Sequence, residues 1–198
     1  MPVRLSSVWT ASAVGAVTVF ASRWAYRHLV AGDLMVDLSI GRSIRPLGPV
    51  DVRIEAPREL VFDVIAAPYL ASPPRSLAGK IQVLERSEEM VLAAHQTPVR
   101  DGLIATTVET VRFERPGTVY FRLLRGPVPH VVERFELAED GNATLFHYEG
   151  ELGADLWALG RWWGNLVALR WNDAVRGSVE EITRVAELRA ARHRPERA

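Results

Sequence analysis

Two glutamates stand where oily side chains are due. Between Leu103 and Leu137 the apolar residues fall on odd positions: Leu103, Ala105, Val111 and Phe113, then Val119, Phe121 and Leu123, then Val131, Phe135 and Leu137. Arg112, Arg122, Arg134 and Glu136 take even positions. In strands, that alternation sends the odd set inward and the even set to water. Glu109 and Glu133 carry the inward parity. A carboxylate in an apolar interior is costly unless it is paired or protonated, and desolvation raises its pKa. Such a pair suits a polar floor that orients a ligand carbonyl or hydroxyl, or a general acid/base in a cyclisation or dehydration. Two other arrangements fit the same pattern: a β-bulge that turns one acid outward, or pairing with an inward arginine such as Arg170. With consecutive hairpins, both acids lie near Leu123, about 10 Å apart.

Other chemistries find little footing. The chain of 198 residues has no cysteine, which excludes disulfides, thiolate metal sites and cysteine nucleophiles. His28, His95, His130, His147 and His193 show no ligand spacing, so no metal is expected. No Gly-x-Ser-x-Gly elbow and no glycine-rich phosphate loop is present, and no cofactor is implied. Twenty-four basic and twenty-four acidic residues cancel, which argues against nucleic acid as a partner. Arg42–Arg45 and the Arg189–Arg197 tail read as solvated ends.

The elements that must position the acids follow from periodicity. Val50, Val52 and Ile54 alternate with charged residues as a strand, stopped by Ala56-Pro57. Leu60, Val61, Val64 and Ile65 then repeat at helical spacing to about Ala67, with a second short helical piece around Tyr69–Ser72. Six strands follow: Lys80–Glu85, Met90–Gln96, Leu103–Phe113, Val119–Leu124, Val131–Leu137 and Thr144–Leu152. Pro116-Gly117 and Asp140-Gly141 supply turns, so antiparallel hairpins are expected. The last strand switches parity, with Phe146, Tyr148 and Leu152 inward.

Asp155 fits an N-cap for a long amphipathic helix to about Arg192. Its inward face reads Leu156, Gly160, Trp163, Val167, Trp171, Ala174, Ser178, Ile182 and Val185, with Asn172 turned away. Trp162, Leu166 and Leu169 form a second stripe, suited to covering the short helices, meeting the leader or touching a bilayer.

Ahead of this body, no ionisable residue occurs from Leu5 to Ser22. As a helix that run spans about 27 Å, near the thickness of a bilayer's hydrocarbon core. Trp9, Trp24 and Tyr26 flank it like an interfacial belt, and Arg23, Arg27, Arg42 and Arg45 outnumber Arg4 across it. A single-pass anchor in the cell membrane with the body in the cytoplasm is the first expectation. A signal peptide cleaved after Val19-Phe20-Ala21, giving a secreted protein, and a helix packed on the body are the alternatives. The expected organisation is a hydrophobic helix at 1–30, a linker at 31–48, a body at 49–192 and a basic tail at 193–198.

The order strand, two short helices, six strands and a long helix, with Val52-x-Ile54-x-Ala56-Pro57-x-x-x-Val61-Phe62-x-x-Ile65, resembles the START/polyketide-cyclase superfamily (SRPBCC) from residue 49 to about 190. The resemblance implies the α+β helix-grip fold, a curved seven-stranded antiparallel sheet around the C-terminal helix, with a pocket for an apolar molecule between them. Candidate ligand-lining residues are Val111, Phe113, Phe121, Leu123, Phe135, Trp163, Val167, Arg170, Trp171 and Ala174. The expected function is a membrane-tethered binding or transfer protein for a lipid, isoprenoid or polyketide-like molecule. A cyclase/dehydratase using Glu109 or Glu133, and an interaction or stress-response domain with an incidental cavity, are the alternatives.

Overall fold

A computed structural model describes residues 20–70, 80–88, 90–99 and 102–193. Residues 20–31 are helical (α1). The body then runs β1 (Ser43–Ile54), α2 (Arg58–Leu70), β2 (Ile81–Arg86), β3 (Met90–Pro98), β4 (Ile104–Glu114), β5 (Thr118–Arg125), β6 (His130–Asp140), β7 (Ala143–Ala154) and α3 (Trp157–His193). All strands pair antiparallel in the order β1-β7-β6-β5-β4-β3-β2. α2 and α3 cover one face of this sheet, and the core lies between the layers.

The parity pattern holds because the registers preserve it. Glu109 faces Leu123 and Phe121 faces Glu133, pairs in which odd meets odd, so one face carries the odd residues of β4 and β6 and those of β5 up to Leu123, where the register shifts. The two-residue turn between Asp140 and Ala143 pairs odd with even, as in Phe135 with Tyr148 and Leu137 with Phe146. That turn accounts for the switch in β7. Phe121, Phe135, Phe146 and Tyr148 form a chain of ring contacts, with Tyr69 of α2 on Phe121. Each buried aromatic of this kind contributes about 1.5–3 kcal/mol.

Several expectations need correction. β1 begins at Ser43, inside the stretch read as a linker; Ser43 to Leu47 pair with Ala154 to Gly150 of β7, and the register shifts before Val50. Gly48 sits in that shift at φ +79, where a Cβ would press on the Tyr148 ring and carbonyl at 3.0 Å. The two short helical pieces are one helix, α2, with Pro68 in its last turn; the end of the second piece lies outside the described residues. Asn172 does not face away from the domain: it is half-buried and its Oδ1 accepts the Gly48 N–H at 3.0 Å.

Asp155 is not an N-cap. Its side chain is fully buried and turns back to the segment before β1, accepting the N–H groups of Leu38 and Ser39 at 2.7 Å each and Arg42 Nε at 2.6 Å. The N–H groups of Leu156 and Trp157 donate instead to the carbonyls of Ile40 and Gly41. Leu156 and Trp157 both have positive φ, a strained junction that this clamp holds in place.

Of the apolar run Leu5–Ser22, residues up to 19 lie outside the described structure. No described helix is long and apolar enough to cross a membrane. α1 itself rests on the body: the Tyr26 ring meets Trp163 edge-on at 6.2 Å, and Arg125 Nε donates to the Gly32 carbonyl at 2.9 Å. Gly32, at φ +74, lies so close to β4 that a Cβ there would stand 2.2 Å from the Thr106 carbonyl oxygen.

Replacing Asp155 by alanine is expected to cost about 2–4 kcal/mol and lower the melting temperature by roughly 5–15 °C, because it strands buried donors and the Arg42 charge together. Thermal unfolding followed by circular dichroism checks this; a loss under about 1 kcal/mol would contradict the clamp.

Candidate functional site

Both odd-parity acids are buried on the inner face, Glu109 at 4% and Glu133 at 6% exposure. No bulge turns either outward: the irregularity between Val108 and Glu109 leaves Glu109 opposite Leu123 and inward. Glu133 lies opposite Phe121, so the acids sit two strands apart and are staggered along the sheet by one inward position.

Each acid has its own environment. Thr107 Oγ1 donates to Glu109 Oε1 at 2.6 Å, and His95 Nδ1 approaches Glu109 Oε2 at 3.1 Å. The other ring nitrogen, Nε2, is 3.1 Å from the hydroxyl of Tyr69 on α2. β3 places His95 opposite Thr107 and Ala93 opposite Glu109, which puts histidine and acid diagonally adjacent on one face. Burial pushes the Glu109 carboxyl up, but the histidine and the two hydrogen bonds outweigh it and hold the group below its ordinary range. Burial works against the charged form of His95 as well, yet Glu109 wins and the histidine is raised. Tyr69 is raised well above the ordinary tyrosine value by burial and then by the two acids.

Glu133 has no cationic partner at hydrogen-bond distance among the described residues. Tyr148 Oη and Trp171 Nε1 both donate to its Oε1, each at 2.7 Å. Gly150 faces Glu133 across β6 and β7; a Cβ there would stand 3.0 Å from Glu133 Cγ, so the glycine makes room for the acid. Burial first, and then the charge on Glu109, push the Glu133 carboxyl up to about 7. Oε1 already accepts two hydrogen bonds, so a proton on this group belongs on Oε2. The interior thus holds one carboxylate stabilised by a histidine and one carboxyl poised between its two states, the division of environments that separates an acid from a base.

Of the lining residues expected from sequence, Val111, Phe121, Leu123, Phe135 and Val167 are buried on the inner side, and Phe113, Trp163 and Trp171 are half-buried in the same layer. Trp163 Nε1 donates to the Pro127 carbonyl at 2.7 Å. Arg170 and Ala174 need correction. Arg170 is exposed, its nearest acid is Asp173 at 3.8 Å, and it answers neither Glu109 nor Glu133. Ala174 and Ser178 face water because the inward stripe advances by four from Trp171, through Val175 and Val179, and not by three.

His95 and Tyr69 were not anticipated. Val91 and Ala93 of β3 have the same odd parity as His95, which is the signal that marks the histidine as inward. Tyr69 arrives through the continuation of α2 past Pro68. Among the described residues no cluster of three His, Asp or Glu side chains is arranged to hold a metal ion. An open depression of about 330 Å³ lies on the convex face, lined by Thr110, Arg112, Glu114, Tyr120 and Arg122; neither buried acid lines it.

No family model matches the chain, and no curated protein matches it by sequence. Solved structures do match in shape. The START superfamily protein from Mycobacterium smegmatis aligns with a TM-score of 0.50 at 12% identity, over 75% of this chain and 99% of that one. This is the helix-grip fold. The same fold aligns with norcoclaurine synthase from Thalictrum flavum (TM-score 0.54, 8% identity, 79% of this chain and 91% of that one). It aligns also with the di-domain ARO/CYC StfQ from the steffimycin biosynthetic pathway (0.55, 12%, 96% of this chain and 62% of that one). In helix-grip terms, Glu133 lies where the gripping sheet meets the gripped helix, through Tyr148 on one side and Trp171 on the other.

The raised Glu133 makes stability depend on pH with a definite sign. Between about pH 4.5 and about pH 7 the folded protein keeps a proton that the unfolded chain has released, so stability falls as pH rises through that window. Glu133→Gln keeps an acceptor for Tyr148 and Trp171 but cannot ionise. Relative to the parent it should therefore gain stability, by up to about 3 kcal/mol, between about pH 5 and about pH 8. Urea unfolding at both pH values measures this; a pH-independent difference would show that Glu133 titrates as an ordinary glutamate.

Proposed function

We propose that the protein binds or transfers a hydrophobic small molecule, a lipid, isoprenoid or polyketide-like compound carrying an oxygen function, between the concave sheet and α3. The observation that carries this reading is the Glu133 carboxyl, held by Tyr148 and Trp171 on an inner face whose walls are mostly apolar and whose other buried acid, Glu109, is already paired with His95. In its neutral form it donates one hydrogen bond from an oily wall, which suits a ketone, quinone or hydroxyl group on an apolar body. The proposal includes a membrane tether through residues 5–22 with the body on the cytoplasmic side, resting on the apolar run and the distribution of arginines.

A second reading, a cyclase or dehydratase, is favoured by the His95–Glu109 pair facing the same interior as Glu133. Glu109, assisted by His95, would take a proton from carbon next to a carbonyl, and Glu133 would give its proton to a departing hydroxyl, with water as the by-product. The fold neighbours include a protein described as a di-domain ARO/CYC and a norcoclaurine synthase, which keeps this chemistry in view without assigning it.

The full chain, purified gently from its own host and examined by native mass spectrometry with lipid extraction, is expected to release an apolar, oxygen-bearing ligand. Trp171→Phe should weaken rebinding of that ligand about tenfold by loosening Glu133. Recovery of no apolar ligand would favour an interaction domain. Conversion of the ligand to a product lighter by one water, abolished by Glu109→Gln, would move the assignment to the enzyme.

A further inference from the structure

Among the described residues, nothing covers the second stripe of α3. Leu159, Trp162, Leu166 and Leu169 step by three and four along one side of the helix and are 62%, 58%, 41% and 65% exposed. At that exposure α2, as far as it is described, does not cover them, contrary to one of the uses expected for this stripe. α1 meets Trp163, through Tyr26, and leaves Trp162 exposed. The apolar strip stops after about three turns. The same side of the helix continues as Asp173, Arg176 and Glu180, so there is no long seam for a second helix.

The surroundings of the strip are of one sign. Between Trp157 and Asn172 the only charged residues are Arg161 and Arg170, both exposed. α1, packed at this end of α3, offers Arg23 and Arg27, also exposed, together with exposed Phe20 and Trp24. The nearest acids are engaged: Asp155 and Asp37 with Arg42, Asp33 with His28, and Asp173 with Arg170 and Arg176. The chain enters α1 from the stretch beginning at Leu5 that contains no ionisable residue, so this end of the molecule is where the sequence is most compatible with an apolar phase.

We infer that the first three turns of α3 dock on an anionic lipid bilayer. Leu159, Trp162, Leu166 and Leu169 would enter the headgroup boundary, with Arg161, Arg170, Arg23 and Arg27 meeting lipid phosphates. A bulky tryptophan flanked by leucines and cations suits that boundary, where one end of the side chain is oily and the other wet. This contact does not require residues 5–22 to span the membrane, and it stands whether the interior holds a ligand or performs a reaction.

The chain has no cysteine, so a single spin label can be placed by Leu169→Cys, with Glu180→Cys on the charged continuation of the same side as reference. The probe is the full chain mixed with vesicles of phosphatidylcholine and phosphatidylglycerol. Because residues 5–22 can hold the chain on a vesicle by themselves, the deciding reading is immersion of the label and not co-sedimentation. The ratio of oxygen to nickel-chelate collisions at position 169 should rise at least about threefold on adding vesicles, and that at 180 should not. The rise should shrink to background in Trp162→Glu/Leu166→Glu, whose unchanged circular dichroism shows that it folds, and should be smaller with phosphatidylcholine alone or at high salt. Equal water exposure at 169 and 180 in the presence of vesicles would overturn the inference. So would sedimentation velocity showing a lipid-free dimer that Trp162→Glu/Leu166→Glu dissociates, since a second copy would then be what covers the strip.

Discussion

One carboxylate oxygen joins the two layers of the molecule. Glu133 Oε1 takes a hydrogen bond from Tyr148 on the neighbouring strand and another from Trp171 on the gripped helix. Both donors are neutral, so they fix the position of the acid without supplying the positive charge that would make its ionisation easy. The register brings Gly150 opposite it, and the missing side chain there leaves the carboxyl its room. Removing Glu133 would leave the Trp171 and Tyr148 donors to find other partners, which is why the inner surface and the seating of α3 depend on the same residue.

The second acid gives this arrangement its electrostatic sense. Glu109 is held charged by His95 and Thr107, and its charge adds to the effect of burial in raising Glu133. Two glutamates with the same parity on the same sheet therefore do not behave alike. What separates them is one histidine on β3, with the Thr107 hydroxyl beside it. The interior carries a graded polarity, charged beneath α2 and divided between its two protonation states near pH 7 beneath Trp171, inside walls otherwise built of Val111, Phe121, Phe135 and their neighbours.

Much of this was legible in the sequence where the physics is local and periodic. Odd parity placed Glu109 and Glu133 inside because β4 to β6 pair odd with odd, and the Asp140-Gly141 turn signalled the hairpin that shifts β7 to even. His95 escaped because its partner lies fourteen positions on, across a strand pair, and spacing rules for metal ligands say nothing of a diagonal contact between strands. Asp155 has the type and place of an N-cap, but its carboxylate satisfies Leu38, Ser39 and Arg42, more than a hundred residues away in the chain. Ala174 and Arg170 were misplaced because a step of three or four is equally allowed at each turn, and only packing against the sheet chooses Val175 and Val179. The run from Leu5 to residue 19 lies outside the described residues, so the anchor rests on composition alone.

The account turns on Glu133 exchanging its proton near neutral pH inside the grip, where an ordinary glutamate is fully ionised. Carbon-13 NMR of glutamate side-chain carboxyls, assigned with Glu133→Gln and Glu109→Gln, titrates each acid in the folded protein. The account predicts a Glu133 midpoint near about 7 and a Glu109 midpoint below the ordinary glutamate value. A Glu133 resonance that titrates at about 4.3, like an exposed glutamate, would contradict it.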